Sequence, residues 1–383
     1  ALIREIERQG GVPIPIWREA GRDLASSLLG SERLDALILC ANRLDYADAK
    51  AGAAEAARLG VPPLMCATDY RRTPEAWRKS LGGFAPDQTG ELALSELEGI
   101  VEPMVVGARA VAPDGAVGYV ALADQVRWRV ARAMAWARLH RLPNAEKRIV
   151  IPYHNEEPGE ADVGSDPDSY MDAQGSIVAL LTRLRAEGYD VGPDPIPDAA
   201  TLSKRMAEAG SNTRTGDMAA LRARIAQGAI TVPLATYLDW YAMLPADVRQ
   251  ATEARWGPPP GRIMTVDGQI VIPALRFGKV TLVAHPIWGV QADAGALAAK
   301  GALPPHHQYL AFYLWMQKGE HADAYLPMFT QLSLMPGKQE GPAAGDAVGV
   351  LIGALPHIQP LPLQANGGVG NKRRTQAVTI GFM

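Results

Sequence analysis

Two of the seven histidines in this 383-residue chain are adjacent: His306-His307 follow Leu303-Pro304-Pro305 and lead into Gln308-Tyr309-Leu310-Ala311-Phe312-Tyr313-Leu314-Trp315. Neutral imidazole ligates divalent transition metals and exchanges a proton near neutral pH. His306 and His307 are therefore candidate catalytic groups, and His307 and His285 candidate metal ligands. Adjacent helical residues point roughly 100° apart, so both of a pair rarely hold one ion. The competing role is capping and packing, because the first turn of a helix offers free backbone N–H donors. Helix Tyr309–Trp315 reads as a core helix, with Tyr309 as the candidate aromatic contact for a flat ligand.

A second set is His154-Asn155-Glu156-Glu157, at the end of the strand-like run Lys147–Tyr153. Open α/β sheets place ligands at the C-terminal ends of their strands. His154 and Asn155 are thus candidate substrate contacts, with a solvated acidic loop as the alternative. Lys372-Arg373-Arg374 could bind carboxylates or phosphates through planar guanidinium groups, or form a plain basic turn. Gly367-Gly368-Val369-Gly370-Asn371-Lys372 fails as a phosphate loop, because the Lys does not follow the last glycine and no Ser or Thr follows the Lys. No other segment supplies a nucleotide site, so any ATP is expected to be used by a partner. Asp166-Pro167-Asp168 lacks the glycine and terminal Glu of a calcium loop. Neither an HExxH motif nor a Ser or Cys nucleophile motif occurs, which lowers hydrolase readings.

The elements that must position these groups alternate. A helix ends at Gly10-Gly11 and is followed by the strand-like Val12–Trp17 and another helix to residue 29. Leu34–Cys40 and Val61–Ala67 are apolar strand runs flanking an Ala-rich helix, and a long helix covers Val120–Leu142. Helix Gly175–Glu187 then stops at Gly188. Such alternation predicts parallel sheets covered by helices. Residues 197–250 read as mostly helical, and Trp256-Gly257-Pro258-Pro259-Pro260-Gly261 as a firm break. Strands are expected at Gln269–Pro273 and Lys279–Ala284, a helix at Pro305–Gln317, and loops between short apolar segments after Gly341. The fold class is α/β and multidomain: parallel-sheet, Rossmann-like units with added helices and a mixed α/β C-terminal part. The division expected is a first α/β unit at 1–145, a second with a helical extension at 146–250, and a mixed segment at 251–383.

Hydrophobic content of 48%, charged content of 21% and a net charge of -3 are those of an ordinary globular protein, with no basic excess for nucleic acid. The two cysteines, Cys40 and Cys66, cannot build a disulfide framework or a Cys-rich zinc site, and fit a reducing compartment. No run of about 18 apolar residues exists for a membrane span. The chain starts without Met, already in a helical pattern, and reads as a piece of a longer protein.

An ordered series of fragments carries a family likeness. It runs through Glu96-Leu97-Glu98-Gly99, Tyr170-Met171-Asp172, Gly188-Tyr189, Tyr237 to Leu244-Pro245, Trp256-Gly257, Phe277-Gly278, Pro286, Pro304-Pro305-His306-His307, Ala322-Asp323-Ala324, Met335-Pro336-Gly337-Lys338, Leu355-Pro356-His357 and Lys372 to Val378. This series resembles the large subunits of cobaltochelatase and magnesium chelatase, with the His357 and Arg373–Val378 segments closer to the cobalt enzyme. The resemblance implies a cytoplasmic, tetrapyrrole-binding subunit. Such a subunit takes a divalent metal, cobalt or alternatively magnesium, as substrate, and works with AAA+ ATPase partners that use the ATP. It also implies Lys338, Arg373 and Arg374 as substrate-binding groups.

In that family a histidine pair and a glutamate precede the Pro-Gly-Lys, and another glutamate precedes the Lys-Arg-Arg. Here the corresponding positions hold Tyr325, Phe329, Ser333 and Gly368. Three readings follow: a tetrapyrrole binder that inserts no metal, a chelatase using His285, His306, His307 or His321 instead, or a sequence incomplete at these places.

Overall fold

The computed structural model describes residues 1–16, 34–45, 48–155, 172–287, 303–328, 330, 332–361 and 368–381. The chain forms two compact units: Ala1–Arg141 with Gly337–Gly349 and Val369–Val378, and Leu142–Pro336 with Val350–Gly368 and Thr379–Met383.

In the first unit, helix α1 (Leu2–Arg8) precedes strand β1 (Leu37–Leu39), α2 (Ala49–Leu59), β2 (Pro63–Asp69), α3 (Pro74–Lys79), α4 (Thr89–Leu97), β3 (Val101–Val111), β4 (Val117–Ala121) and α5 (Ala123–Arg141). The sheet order is β1-β2-β3-β4, parallel through β3, with β4 returning antiparallel. Asp48 caps α2 by accepting from the Lys50 N–H, and Gly60 ends it in the left-handed region at φ 68°. The core gathers Leu44, Trp77, Leu92, Val105 and Leu122. Val12–Ile16, expected as a strand, has no strand pairing, and Val12 is 88% exposed. Pro13 and Pro15 remove two of its backbone donors, which a ladder would need. The helix expected after Trp17 lies outside the described residues.

In the second unit, β5 (Ile149–Tyr153) leads to α6 (Ala173–Ala186), α7 (Ala199–Glu208), α8 (Met218–Ala226), β6 (Ile230–Pro233), α9 (Leu234–Ala242), α10 (Ala246–Trp256), β7 (Thr265–Val266), β8 (Gln269–Ile272), β9 (Ala274–Phe277), β10 (Val280–Ala284), α11 (His307–Leu314) and β11 (Ala324–Tyr325). With β12 (His357–Leu361) and β13 (Ala377–Gly381) the main sheet has the order β13-β12-β11-β5-β10-β9. Strands β12, β11, β5 and β10 pair in parallel and β9 antiparallel. Helices α6 and α7 cover one face through Ile177, Leu181, Leu202 and Met206, packed on Ile149, Ile151 and Tyr153. A small antiparallel sheet, β6-β8-β7, turns at Asp267-Gly268, both at positive φ (49° and 71°), the pairing that suits a two-residue hairpin.

Residue 250 lies inside the second unit. The reason is strand pairing: β6 pairs with β8 and β5 with β10, so segments on either side of 250 share sheets. Asp172, Asp198 and Asp217 cap α6, α7 and α8 through side-chain bonds to backbone N–H groups, which is why these short helices start where they do. Among the described residues no helix is long and apolar enough to cross a membrane.

Candidate functional site

Two neighbouring parallel strands of the second unit end side by side, β5 just before His154-Asn155 and β10 just before His285, while Tyr325 of the adjacent β11 lies opposite Val150 of β5. This is the strand-end crevice that open α/β sheets use. Asn155 is buried and fixed to Asn212: its Oδ1 accepts from the Asn212 backbone N–H at 2.5 Å and its carbonyl from the Asn212 side chain at 3.1 Å. The Asn212 amide also donates to the His285 carbonyl at 2.8 Å. His154 is half-buried beside this group, near enough to His285 for its charge to oppose a charge there.

Helix α11 lies over these strand ends and is buried along its whole length. It brings Tyr309 and Tyr313 into the network. Tyr313 Oη lies 2.9 Å from Tyr325 Oη, Tyr325 donates to Thr330 Oγ1 at 2.9 Å, and Tyr313 reaches His285 Nε2 at 3.4 Å. Successive rings from Trp256 through His306, Tyr309, Tyr313 and Tyr325 to His357 have centroids 5.8, 5.9, 5.3, 5.7 and 4.7 Å apart. Burial pushes the Tyr313 and Tyr325 phenols upward, so both are neutral donors at physiological pH.

The histidine pair splits between two surroundings, as the helical angle requires. His306 is the N-cap of α11: Nδ1 accepts from the Tyr309 N–H at 3.1 Å, so Nε2 carries the proton that it donates to the Ile287 carbonyl. His307 faces Tyr237 and Tyr241; Nε2 donates to the Gly257 carbonyl at 2.8 Å, and Nδ1 accepts from Tyr237 Oη at 2.8 Å. His285 donates from Nδ1 to the Pro286 carbonyl at 2.9 Å, leaving Nε2 to the Tyr313 hydroxyl. Burial lowers the pKa of His285 to about 3 and of His306 to about 4, and lowers that of His307 as well. All three imidazoles are neutral, with both nitrogens of each ring occupied by protein groups. Among the described residues no group of three His, Cys, Asp or Glu side chains could hold a metal ion.

A cleft of about 620 Å³ opens beside this network, lined by Thr215, Arg255, Trp256, Arg262, His306 and Gln308 among others. Arg255 stacks on the Trp256 ring at 4.9 Å, and the Trp256 indole N–H is tied to the Pro304 carbonyl at 2.8 Å, which fixes the ring as a wall. Arg262 is exposed and makes no ion pair among the described residues. In the cleft wall, the buried Gln308 Oε1 lacks a hydrogen-bond partner among the described residues. An aromatic wall, two guanidinium groups and a buried acceptor suit a flat molecule with peripheral carboxylates and inner N–H donors.

Lys338, Arg373 and Arg374 belong to the first unit. The Lys338 ammonium donates to the carbonyls of Trp77, Arg78 and Ser80 at 2.9, 3.0 and 2.6 Å, beyond the end of α3, and sits 4.6 Å from the Trp77 ring centroid. All three of its N–H donors are used. Arg373 forks onto Glu96 at 2.9 and 3.2 Å and onto Glu340 at 2.9 Å, so its positive charge is already neutralised. Arg374 is half-buried near Asp346, and burial pulls its pKa down. The Glu96–Gly99 fragment is structural in the same way: Glu96 holds Arg373, and buried Glu98 binds the Arg43 side chain and the N–H groups of Leu44 and Asp45. The donors of Lys338 and Arg373 are thus engaged inside the fold.

Sequence reasoning missed Asn212, Tyr313, Thr330, Trp256 and Arg262. Trp256 and Tyr313 lay within segments already noted, but only the pairing of β11, β5 and β10 brings Tyr313 and Tyr325 to His285.

Parallel strands covered by helices, with a buried polar network beside an aromatic, cationic cleft, define an α/β protein. The family model described as CobN/Magnesium Chelatase matches residues 1–383, and the chain belongs to that family. It is 32% identical over 389 residues to the aerobic cobaltochelatase subunit CobN of Pseudomonas aeruginosa, covering 97% of this chain and 30% of that protein. Similarity to the chloroplastic magnesium-chelatase subunit ChlH of Oryza sativa is 28% over 406 residues, covering 100% of this chain and 28% of the relative. The structure matches the catalytic subunit of cobaltochelatase from Mycobacterium tuberculosis with a TM-score of 0.80 at 28% identity, over 99% of this chain and 33% of that one. The chain therefore spans about a third or less of the length of these relatives.

Proposed function

We propose that this chain is the tetrapyrrole-binding part of a cytoplasmic cobaltochelatase-type large subunit, receiving a corrinoid ring of the hydrogenobyrinate type for cobalt insertion. The observation that carries the reading is the second unit's cleft, where Trp256, Arg255, Arg262 and Gln308 meet the needs of a flat, carboxylated macrocycle. Likeness to two cobaltochelatase subunits supports cobalt over magnesium. In this reading ATP is hydrolysed by AAA+ partner subunits, as the family resemblance implies.

In this reading the cleft binds and orients the ring, and burial holds the neighbouring imidazoles neutral. His306 and His307 shape the wall and fix α11 through their bonds to Ile287, Tyr309, Gly257 and Tyr237.

One observation favours a second reading, a binder that inserts no metal. Tyr325 stands where the family resemblance places a histidine, and its phenol is locked neutral between Tyr313 and Thr330. Absorbance during incubation with a metal-free corrinoid, Co²⁺, ATP and AAA+ chelatase subunits separates the two. ATP-dependent conversion to the cobalt spectrum supports insertion. Ring binding with no conversion supports the binder, and no spectral change at micromolar protein overturns both.

A further inference from the structure

Cys40 directly follows strand β1 of the first unit and Cys66 lies on the neighbouring β2, away from every group used above. Strands β1 and β2 pair in parallel with Leu37 opposite Pro63, Ile38 opposite Leu64 and Leu39 opposite Met65. Continuing that register by one residue sets Cys40 opposite Cys66. Neighbouring strands lie about 4.8 Å apart, inside the Cα separation of roughly 4.4–6.8 Å that a disulfide spans. The Cys66 thiol is near enough to Cys40 to perturb it. Cys40 is exposed and Cys66 buried, so one sulfur meets solvent and the other stands behind it.

We propose that Cys40 and Cys66 are a peroxide-reactive thiol pair that closes to a reversible cross-strand disulfide. Cys40 is the attacking group. The neighbouring Cys66 side chain lowers its pKa to about 7, and the buried Arg129 guanidinium adds to this, whereas burial pushes the Cys66 thiol well upward. The same Arg129 donates to the Met65 carbonyl at 3.3 Å, which fixes the strand residue next to Cys66.

The Cys40 thiolate attacks one oxygen of hydrogen peroxide, breaking the O–O bond; hydroxide leaves, takes a proton and becomes water, and Cys40 becomes a sulfenic acid. The Cys66 sulfur then attacks the Cys40 sulfur, the S–O bond breaks, and a second water carries off the Cys66 proton. Two thiols lose two electrons and two protons, and one peroxide becomes two waters. A small-molecule dithiol reverses the step by exchange, first attacking the sulfur that solvent reaches.

The test is intact-mass analysis of the whole chain after peroxide treatment, with free thiols then blocked by N-ethylmaleimide in denaturant. The reduced chain takes a maleimide on each cysteine. The expected oxidised product takes none, has lost two hydrogens, and regains both thiols with dithiothreitol. In Cys66→Ala, Cys40 should stop at a sulfenic acid that dimedone traps, while Cys40→Ser should leave Cys66 unoxidised. An oxidised wild-type chain that still takes two maleimides, or whose only disulfide joins two chains on a non-reducing gel, overturns the proposal. Dimedone labelling of Cys66 in preference to Cys40 would also do so.

Discussion

Replacing Glu102 by glutamine should cost the first unit about 3–5 kcal/mol, the loss expected when one partner of a fully buried ion network is removed. Glu102, Arg129 and Arg132 have fully buried side chains. The carboxylate receives Arg129 at 2.9 Å, Arg132 at 2.7 and 2.6 Å, and the Trp136 indole N–H at 2.7 Å. Those guanidinium groups hold its pKa below the ordinary carboxylate value in spite of burial. A glutamine would leave two buried cations facing each other and turn an amide N–H₂ toward a donor. Glu102 is also held at φ 54°, a conformation that costs on the order of 1 kcal/mol or more and persists only because the network over-determines it. Urea denaturation followed by tryptophan fluorescence reads the effect. A loss below about 1 kcal/mol would contradict the reading of Glu102 as the pin joining β3 to α5.

Acidification should destabilise the second unit before any carboxylate is needed to explain it. His285 and His306 have folded-state pKa values of about 3 and about 4, against an ordinary value of 6.5. Between pH 6.5 and those values the unfolded chain binds protons that the folded one does not. Stability is therefore full above pH 6.5 and falls as the pH drops through that window. His306 alone should contribute a fall of roughly 3 kcal/mol by pH 4, and His285 adds to it. Denaturation midpoints measured from pH 7 to pH 4 test this. A flat profile would show that the imidazoles are not buried as described, whereas His306→Asn should flatten part of the slope.

The α/β class and most of the second unit's elements were legible, because Gly188, the proline run Pro258–Pro260 and the capping aspartates leave local signals. The position of His154-Asn155 was legible too, since they follow an apolar strand and stand at its C-terminal end. What the sequence could not carry is pairing over long separations. Tyr325 and His285 share the Tyr313 hydroxyl only because β11 and β10 flank β5, and the segments on either side of residue 250 join only because β6 pairs with β8. Lys338 and Arg373 looked available because their partners, Trp77–Ser80 and Glu96, are more than two hundred residues away in the chain. Val12–Ile16 shows the opposite error: local alternation suggested a strand, and two prolines deny it the donors.

The central claim is that the Trp256–Arg262 cleft receives the macrocycle. Its most direct test is an equilibrium absorbance titration of a metal-free corrinoid into the wild-type chain and into Arg262→Glu and Trp256→Ala. Binding in the micromolar range, weakened at least tenfold in each variant (about 1.4 kcal/mol or more), is the predicted result. Equal affinity in all three chains would place the ring elsewhere and contradict the claim.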